Sequence, residues 1–192
     1  MNRIIPGTTL KFTETAREAA FSVISPVLEA TGGLTLSQLS KLTGLEGTTI
    51  QNWIKRGWVS STKGKKYSEK QVLRILLINM LRNVMKLDDI ANLMSYVNGD
   101  VEDTSDDIIA DIHLYNMLCR IIFTAEDEGA FASESVKQLI SGEIKENTKE
   151  IADDEKLASA MYVMVMAYRS GCLKAEMEKG LAAIREKQKG SS

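Results

Sequence analysis

The stretch TTIQNWIKRGW, from Thr48 to Trp58, contains both tryptophans of the 192-residue chain, one on each side of a Lys-Arg pair. Three of its large apolar residues stand at positions i, i+3 and i+4: Ile50, Trp53 and Ile54. Because this spacing puts side chains on one face of a helix, we predict a short helix that is capped by Thr48 or Thr49 and runs to about Arg56. We expect Trp53 to anchor that helix in the core.

The other face of this helix carries residue types that recognise nucleic acid. Gln51 and Asn52 can form paired hydrogen bonds to an adenine edge, whereas Lys55 and Arg56 suit phosphate or guanine. Solvent exposure alone explains Gln51 and Asn52 equally well.

A second short helix precedes this one. The segment TLSQLSKLT, 35–43, has leucines at inward positions, and Gly44 follows directly, as a C-terminal stop requires. Two short helices joined by a turn that contains Gly form the helix-turn-helix layout.

A small β-hairpin, the wing, is predicted after the two helices. Segments 58–61 and 65–67 can pair around Thr62, Lys63 and Gly64, which places cations at the tip. Ser68, with Gln71 three residues later, then matches a capping box that opens a helix to about Val84. One more short helix follows at 87–94.

Charge separates this region from the rest of the chain. The net charge is −2, yet segment 41–86 has ten Lys and Arg against two acidic residues, a net +8. Segment 88–111 has eight acidic residues and no Lys or Arg. A basic block in an acidic protein suggests a face that binds a polyanion, and a solvated helical surface is the alternative.

The order of these parts resembles the DNA-binding head of MerR-type transcription regulators. The resemblance lies in LTLSQLSKLTGLEGTTIQNWIKRGWV and GKKYSEKQVLRILLINMLRNVMKLDDIANLM, over about Leu34 to Tyr96. Segment 65–69, KKYSE, stands where that family has an Arg-Arg-Tyr-Ser-type motif, and segment 87–90, LDDI, stands at its last helix. The whole chain also resembles a bacterial family described as MerR-like, which has a second helical domain.

The resemblance implies double-stranded DNA binding and transcriptional regulation. The candidate DNA-binding residues are Thr48, Thr49, Gln51, Asn52, Lys55, Arg56, Lys63, Lys65, Lys66 and Tyr67. Thr49, Gln51 and Asn52 would read bases, the cations would hold phosphates, and Tyr67 would pack the wing and touch the backbone. The MerR family's recognition helix usually reads Thr-Ile-Arg-Tyr-Tyr-Glu, whereas segment 49–54 here reads TIQNWI, so no target sequence is implied.

Outside this head the chain is predicted to be helical. We expect helices at 13–30, 106–126, 133–145 and 154–187, the first with a kink or a segment end at Pro26, and the last as one helix or as two separated near Ser170 and Gly171. The run 158–167 is apolar on nearly every face, which fits a domain centre or a dimer interface. Its methionines, Met161, Met164 and Met166, can line a ligand pocket, although core packing is favoured.

No catalytic constellation is found in the sequence. His113 is the only histidine and is interpreted as structural or exposed, and Cys119 as a small buried residue. No Cys/His cluster or Gly-rich phosphate loop occurs, so we expect no metal, no cofactor and no enzyme. No apolar run reaches the length of a membrane span, and a cytoplasmic protein is expected.

The sequence therefore predicts a mainly α protein, with a MerR-like winged helix-turn-helix head, a small β-hairpin wing and an all-helical C-terminal domain. The predicted domains are an N-terminal arm and helix at 1–33, the head at 34–98, and a dimerisation or effector domain at 99–192. We expect a homodimer with its interface around 161–168, and an effector, a small molecule or a protein, at the C-terminal domain. The alternative function is an adaptor whose basic head docks an acidic protein partner.

Overall fold

The computed structural model describes residues 3–62, 64–101, 103, 105–147, 149 and 151–189. The protein is mainly helical, as predicted. Its α-helices are α1 (Glu14–Glu18), α2 (Ser25–Thr31), α3 (Leu36–Thr43), α4 (Gly47–Lys55), α5 (Glu69–Leu81), α6 (Leu87–Asn98), α7 (Asp111–Glu128), α8 (Ser133–Glu146) and α9 (Asp154–Lys189). A 3₁₀ helix spans Ala20–Val23, and the strands are β1 (Leu34–Thr35) and β2 (Lys66–Tyr67). Within the described residues, no helix is long and apolar enough to cross a membrane.

The N-terminal segment is broken at Ala19 and not at Pro26, so the single helix predicted over 13–30, with its kink or end at Pro26, is wrong. Ala19 is extended, with φ −145° and ψ 93°, and this directs Phe21 into the core with none of its surface exposed. The Phe21 N–H donates to the Asn116 side chain of α7, 2.9 Å away. Pro26 lies in the first turn of α2, where its missing N–H costs no helical hydrogen bond.

Helix α3 begins and ends where its capping residues predict. Thr35 and Gln38 form a reciprocal capping box, and Gly44 closes the helix in the left-handed conformation, with φ 71°. Helix α4 begins at Gly47, so the predicted cap by Thr48 or Thr49 is wrong. The start of α4 lies close to α3 at this point. A Cβ added to Gly47 would be only 3.1 Å from a Leu36 methyl group.

The two strands do not form the predicted hairpin. β1 precedes α3 in the chain and pairs antiparallel with β2, with Leu34 opposite Tyr67. Segment 58–61 is not a strand, because its carbonyls are used elsewhere: Gln71 of α5 donates to the Ser60 carbonyl, 2.9 Å away. Pairing with β1 lets both Leu34 and Tyr67 enter the core.

Helix α5 is the central helix of the fold. Every residue from Gln71 to Ile78 is buried, and α3, α6, α7 and α9 all pack against it. One continuous cluster of buried residues runs from Ile5 through this helix to Val165. Segments 34–98 and 99–192 therefore share one core.

The apolar run in α9 belongs to this core. Met161, Met164 and Val165 have no exposed surface, whereas Val163 between them is 42% exposed. The interface predicted around 161–168 stays a prediction. Met161 and Met164 pack in the core, which is the favoured interpretation of these methionines, and Met166 is partly buried. Of the two expected layouts, the structure has a single helix, which continues past Ser170 and Gly171 to Lys189.

Helix α7 begins later than predicted, at Asp111 instead of Asp106. Ile108 and Ile109 are buried ahead of it, and Asn98 holds this connection. The Asn98 amide donates to the Ile109 carbonyl, 2.7 Å away, and to the Asp111 carboxylate, 3.0 Å away. Ile108 and Ile109 therefore bind the C-terminal end of α6 through hydrogen bonds to Val97 and Asn98 instead of extending α7.

Candidate nucleic-acid interface

Helix α4 has one buried face and one exposed polar face. Ile50 and Trp53 are 0% and 2% exposed. The exposed side chains are those of Thr48, Gln51, Asn52 and Lys55. At 3.6 residues per turn these four lie within an arc of about 100°. The helix therefore presents a contiguous polar and cationic strip on a firmly packed base.

The two tryptophans of the opening stretch have different roles. Trp53 packs in the core, as predicted, while Trp58 is only partly buried. The guanidinium carbon of Arg56 lies 5.1 Å from the centroid of the Trp58 ring, which is a cation–π contact. Trp58 therefore supports Arg56 at the C-terminal end of α4, and Arg56 remains exposed.

Side chains of α5 hold the turn that follows α4. Arg74 donates to the Trp58 carbonyl, 3.4 Å away, and its guanidinium lies 4.0 Å from the carboxylate of Asp111. Burial lowers the pKa of Arg74, while Asp111 and Asp107 oppose that change. Burial likewise raises the pKa of Asp111, against the effects of Arg74 and Asn98. Arg74 is thus a buried brace between the two halves of the chain. It contributes to the net charge of segment 41–86, but it does not belong to the exposed basic surface.

A depression of about 430 Å³ lies beside α4. Its lining residues are Thr49, Asn52, Trp53, Arg56, Trp58, Lys86, Leu87 and Asp88. Thr49 is half-buried and faces this depression, unlike the exposed residues of the strip. Lys86 is exposed just before α6 and brings a cation next to Arg56 that the predicted site did not include. Its position inside the basic segment was the signal in the sequence that pointed to it.

The cations of the predicted wing have different surroundings. Lys65 and Lys66 are exposed, and the Lys66 ammonium donates to the Thr31 carbonyl. Tyr67 is 5% exposed, and burial raises its pKa. Its ring therefore packs against the β1–β2 pair and not against the predicted hairpin, and little of the side chain is left for the predicted backbone contact. Lys63 lies outside the described residues.

Other reactive side chains do not join this surface. Cys119 is fully buried, as predicted, and burial raises the pKa of its thiol. His113 is partly buried in the first turn of α7. Across the described part of the chain, no three His, Cys, Asp or Glu side chains are grouped so that they could hold a metal ion.

Residues 23–118 match a family described as Domain of unknown function (DUF1836). The chain belongs to this family. The DUF1836 match includes α3 to α6 and the start of α7, so it contains the whole α4 surface together with the Arg74 brace. Most of α7, as well as α8 and α9, lies beyond it.

One relative of this DUF1836 chain is a protein of Bacillus subtilis (strain 168) described as uncharacterized protein YkrK. The two are 29% identical over 125 residues, which are 62% of this chain and 49% of the relative. The chain therefore spans about half the length of the relative. No solved structure matches the chain significantly.

Proposed function

We propose that this protein is a sequence-specific, double-stranded DNA-binding transcriptional regulator. The exposed strip of α4 carries the proposal, because it combines amide and cationic side chains on a helix whose other face is fixed by Ile50 and Trp53. Helices α3 and α4, with the short turn through Gly44, form a helix-turn-helix. In such a unit the second helix enters the major groove.

The residues of the strip have separate roles in this proposal. Gln51 and Asn52 read base edges, since their amides can pair with adenine. Lys55 and Arg56 hold phosphates at the C-terminal end of α4. Phosphate contacts fix the register of a protein on DNA, whereas base contacts supply the sequence preference.

The surroundings of α4 support the same function. Lys65, Lys66 and Lys86 are exposed, and Lys86 lines the depression beside α4. Together with the β1–β2 pair and the segment that leads into it, this layout is compatible with a MerR-like winged head. Tyr67 is buried, so we assign it a packing role and no DNA contact.

Selection of bound sequences from random duplex DNA tests this proposal. We expect one enriched sequence and binding that weakens steeply with salt, with a slope of about −0.9 in log–log form for each phosphate held. Lys55→Ala and Arg56→Ala should each weaken binding, whereas Lys145→Ala, which changes an exposed lysine on α8, should not. A chain that binds random and selected duplexes equally, or neither, would refute sequence-specific recognition.

An adaptor function is the second candidate. The depression beside α4 favours it, because Trp58 and Leu87 give an apolar floor next to Arg56 and Lys86. An acidic peptide with an apolar residue would suit that surface. The adaptor function would replace the first proposal if a protein partner remained bound in excess duplex DNA and if the selection enriched no duplex.

A further inference from the structure

The last part of α9 extends beyond the core. Every described residue from Leu173 to Lys189 is exposed. Four of them are large and apolar: Leu173 is 48% exposed, Met177 58%, Leu181 42% and Ile184 56%. At 3.6 residues per turn they lie within an arc of about 80°. We call these four residues the α9 stripe.

We propose that the α9 stripe is a self-association surface, on which the stripe of a second copy packs in antiparallel orientation. A single solvated helix of this length is marginal in water, because helices mostly derive their stability from packing one apolar face. The chain's own core ends near Cys172, which is half-buried, so the stripe has no packing partner within the described chain.

Two pairs of opposite charges beside the stripe favour a second copy in this orientation. Glu178 and Arg185 lie on one flank of the stripe, and Glu176 and Lys187 lie on the other. Both pairs have the same midpoint, between Leu181 and its neighbour in sequence. A two-fold axis at that midpoint puts each acidic residue level with a cation of the other copy, four times in all.

A parallel arrangement lacks this complementarity. In a parallel pair in register the two flanks face each other, so Glu178 would lie near Glu176 of the second copy and Arg185 near Lys187. Flanking charges of this kind set the orientation of paired helices. The antiparallel arrangement also puts Leu181 against Leu181 of the second copy, and Met177 near Ile184.

Gly180 gives additional support for close packing at this place. It lies at the edge of the stripe, and a Cβ added to it would meet no atom within 4 Å. Glycine weakens a helix interior, and the open space around Gly180 shows that no contact of the described chain requires a glycine at this position. Because glycine has no side chain, the backbone of a second helix could approach α9 closely at this point.

The inference concerns a surface separate from α4 and does not depend on the proposed function. If both hold, the dimer carries two recognition helices related by a two-fold axis, which is the arrangement that reads paired half-sites.

Sedimentation velocity across the micromolar range tests the proposal on the full chain. We expect a dimer for the parent and a monomer for Met177→Glu/Leu181→Glu. The matched control, Ala175→Glu/Ala182→Glu, adds the same charge to the opposite face of the same helix and should remain a dimer. A monomeric parent, or a stripe variant that still forms the dimer, would overturn the proposal.

A charge exchange tests the orientation. Glu178→Arg and Arg185→Glu should each weaken the dimer, and the double exchange should restore it, because the opposite charges then face each other again. A double exchange weaker than either single variant would contradict the antiparallel register. Helical circular dichroism of each variant verifies that the core, which these exposed positions do not contact, remains folded. The readout is mass, so it is independent of whether DNA binds.

Discussion

Replacing Trp53 with alanine should destabilise the protein strongly. The indole is 2% exposed and shares the buried face of α4 with Ile50. Loss of a buried large aromatic side chain costs about 3–5 kcal/mol, through lost transfer free energy and the cavity that remains. Alanine is the better helix former, so a loss would reflect packing and not helix propensity.

Urea denaturation followed by circular dichroism at 222 nm measures this effect without using tryptophan fluorescence. Gln51→Ala is the matched control, since it truncates an exposed residue of the same helix and should change the free energy of unfolding by less than about 0.5 kcal/mol. A Trp53→Ala loss below about 1 kcal/mol would show that α4 is not anchored through this ring.

Arg3 and Arg17 both donate hydrogen bonds to the Asp127 carboxylate. These bonds, of which that from Arg3 has the larger effect, lower the pKa of Asp127 from 3.8 to about 2. The stabilisation from this depressed pKa is present above pH 4 and is lost as pH falls towards 2. The melting-temperature difference between the parent and Asp127→Asn should therefore be constant from pH 5 to 7 and vanish near pH 2; a constant difference over the whole range would contradict this. Arg74→Ala leaves Asp111 buried without its cation and should cost about 3–5 kcal/mol in urea denaturation, and a loss under about 1 kcal/mol would remove the brace. Lys65→Ala should weaken all duplexes about equally and flatten the salt dependence by about 0.9, whereas an unchanged slope would exclude a phosphate contact there.

The parts of the fold set by local chemistry could be predicted from the sequence. Thr35 with Gln38 and Ser68 with Gln71 form the capping boxes that open α3 and α5. Each box satisfies backbone donors within one helical turn, so it depends little on the rest of the chain. The inward position of Trp53 likewise followed from helical spacing with its apolar neighbours.

The parts set by distant contacts could not be predicted in the same way. Strand β2 pairs with β1 across the intervening helices α3 and α4, and no local pattern distinguishes that pairing from a hairpin. The break at Ala19 depends on Asn116 of α7, nearly a hundred residues away. Apolar periodicity shows which residues are buried, but it does not show which element buries them.

In the candidate site, too, local patterns predicted some features, whereas distant contacts determined others. The exposure of Gln51, Asn52 and Lys55 followed from the pattern of α4 alone. The burial of Arg74 did not, because a formal charge count treats every cation as a surface group. Its place in the core arises from Asp111, which reaches it from the other half of the chain.

Fluorescence anisotropy on the selected duplex measures whether α4 reads base sequence, as we propose. Gln51→Ala and Asn52→Ala should each lose about 1–3 kcal/mol of binding free energy on that duplex and much less on random duplexes. Their melting temperatures should stay close to that of the parent, because both side chains are exposed. If both variants bind the selected duplex as tightly as the parent, α4 is not the reader.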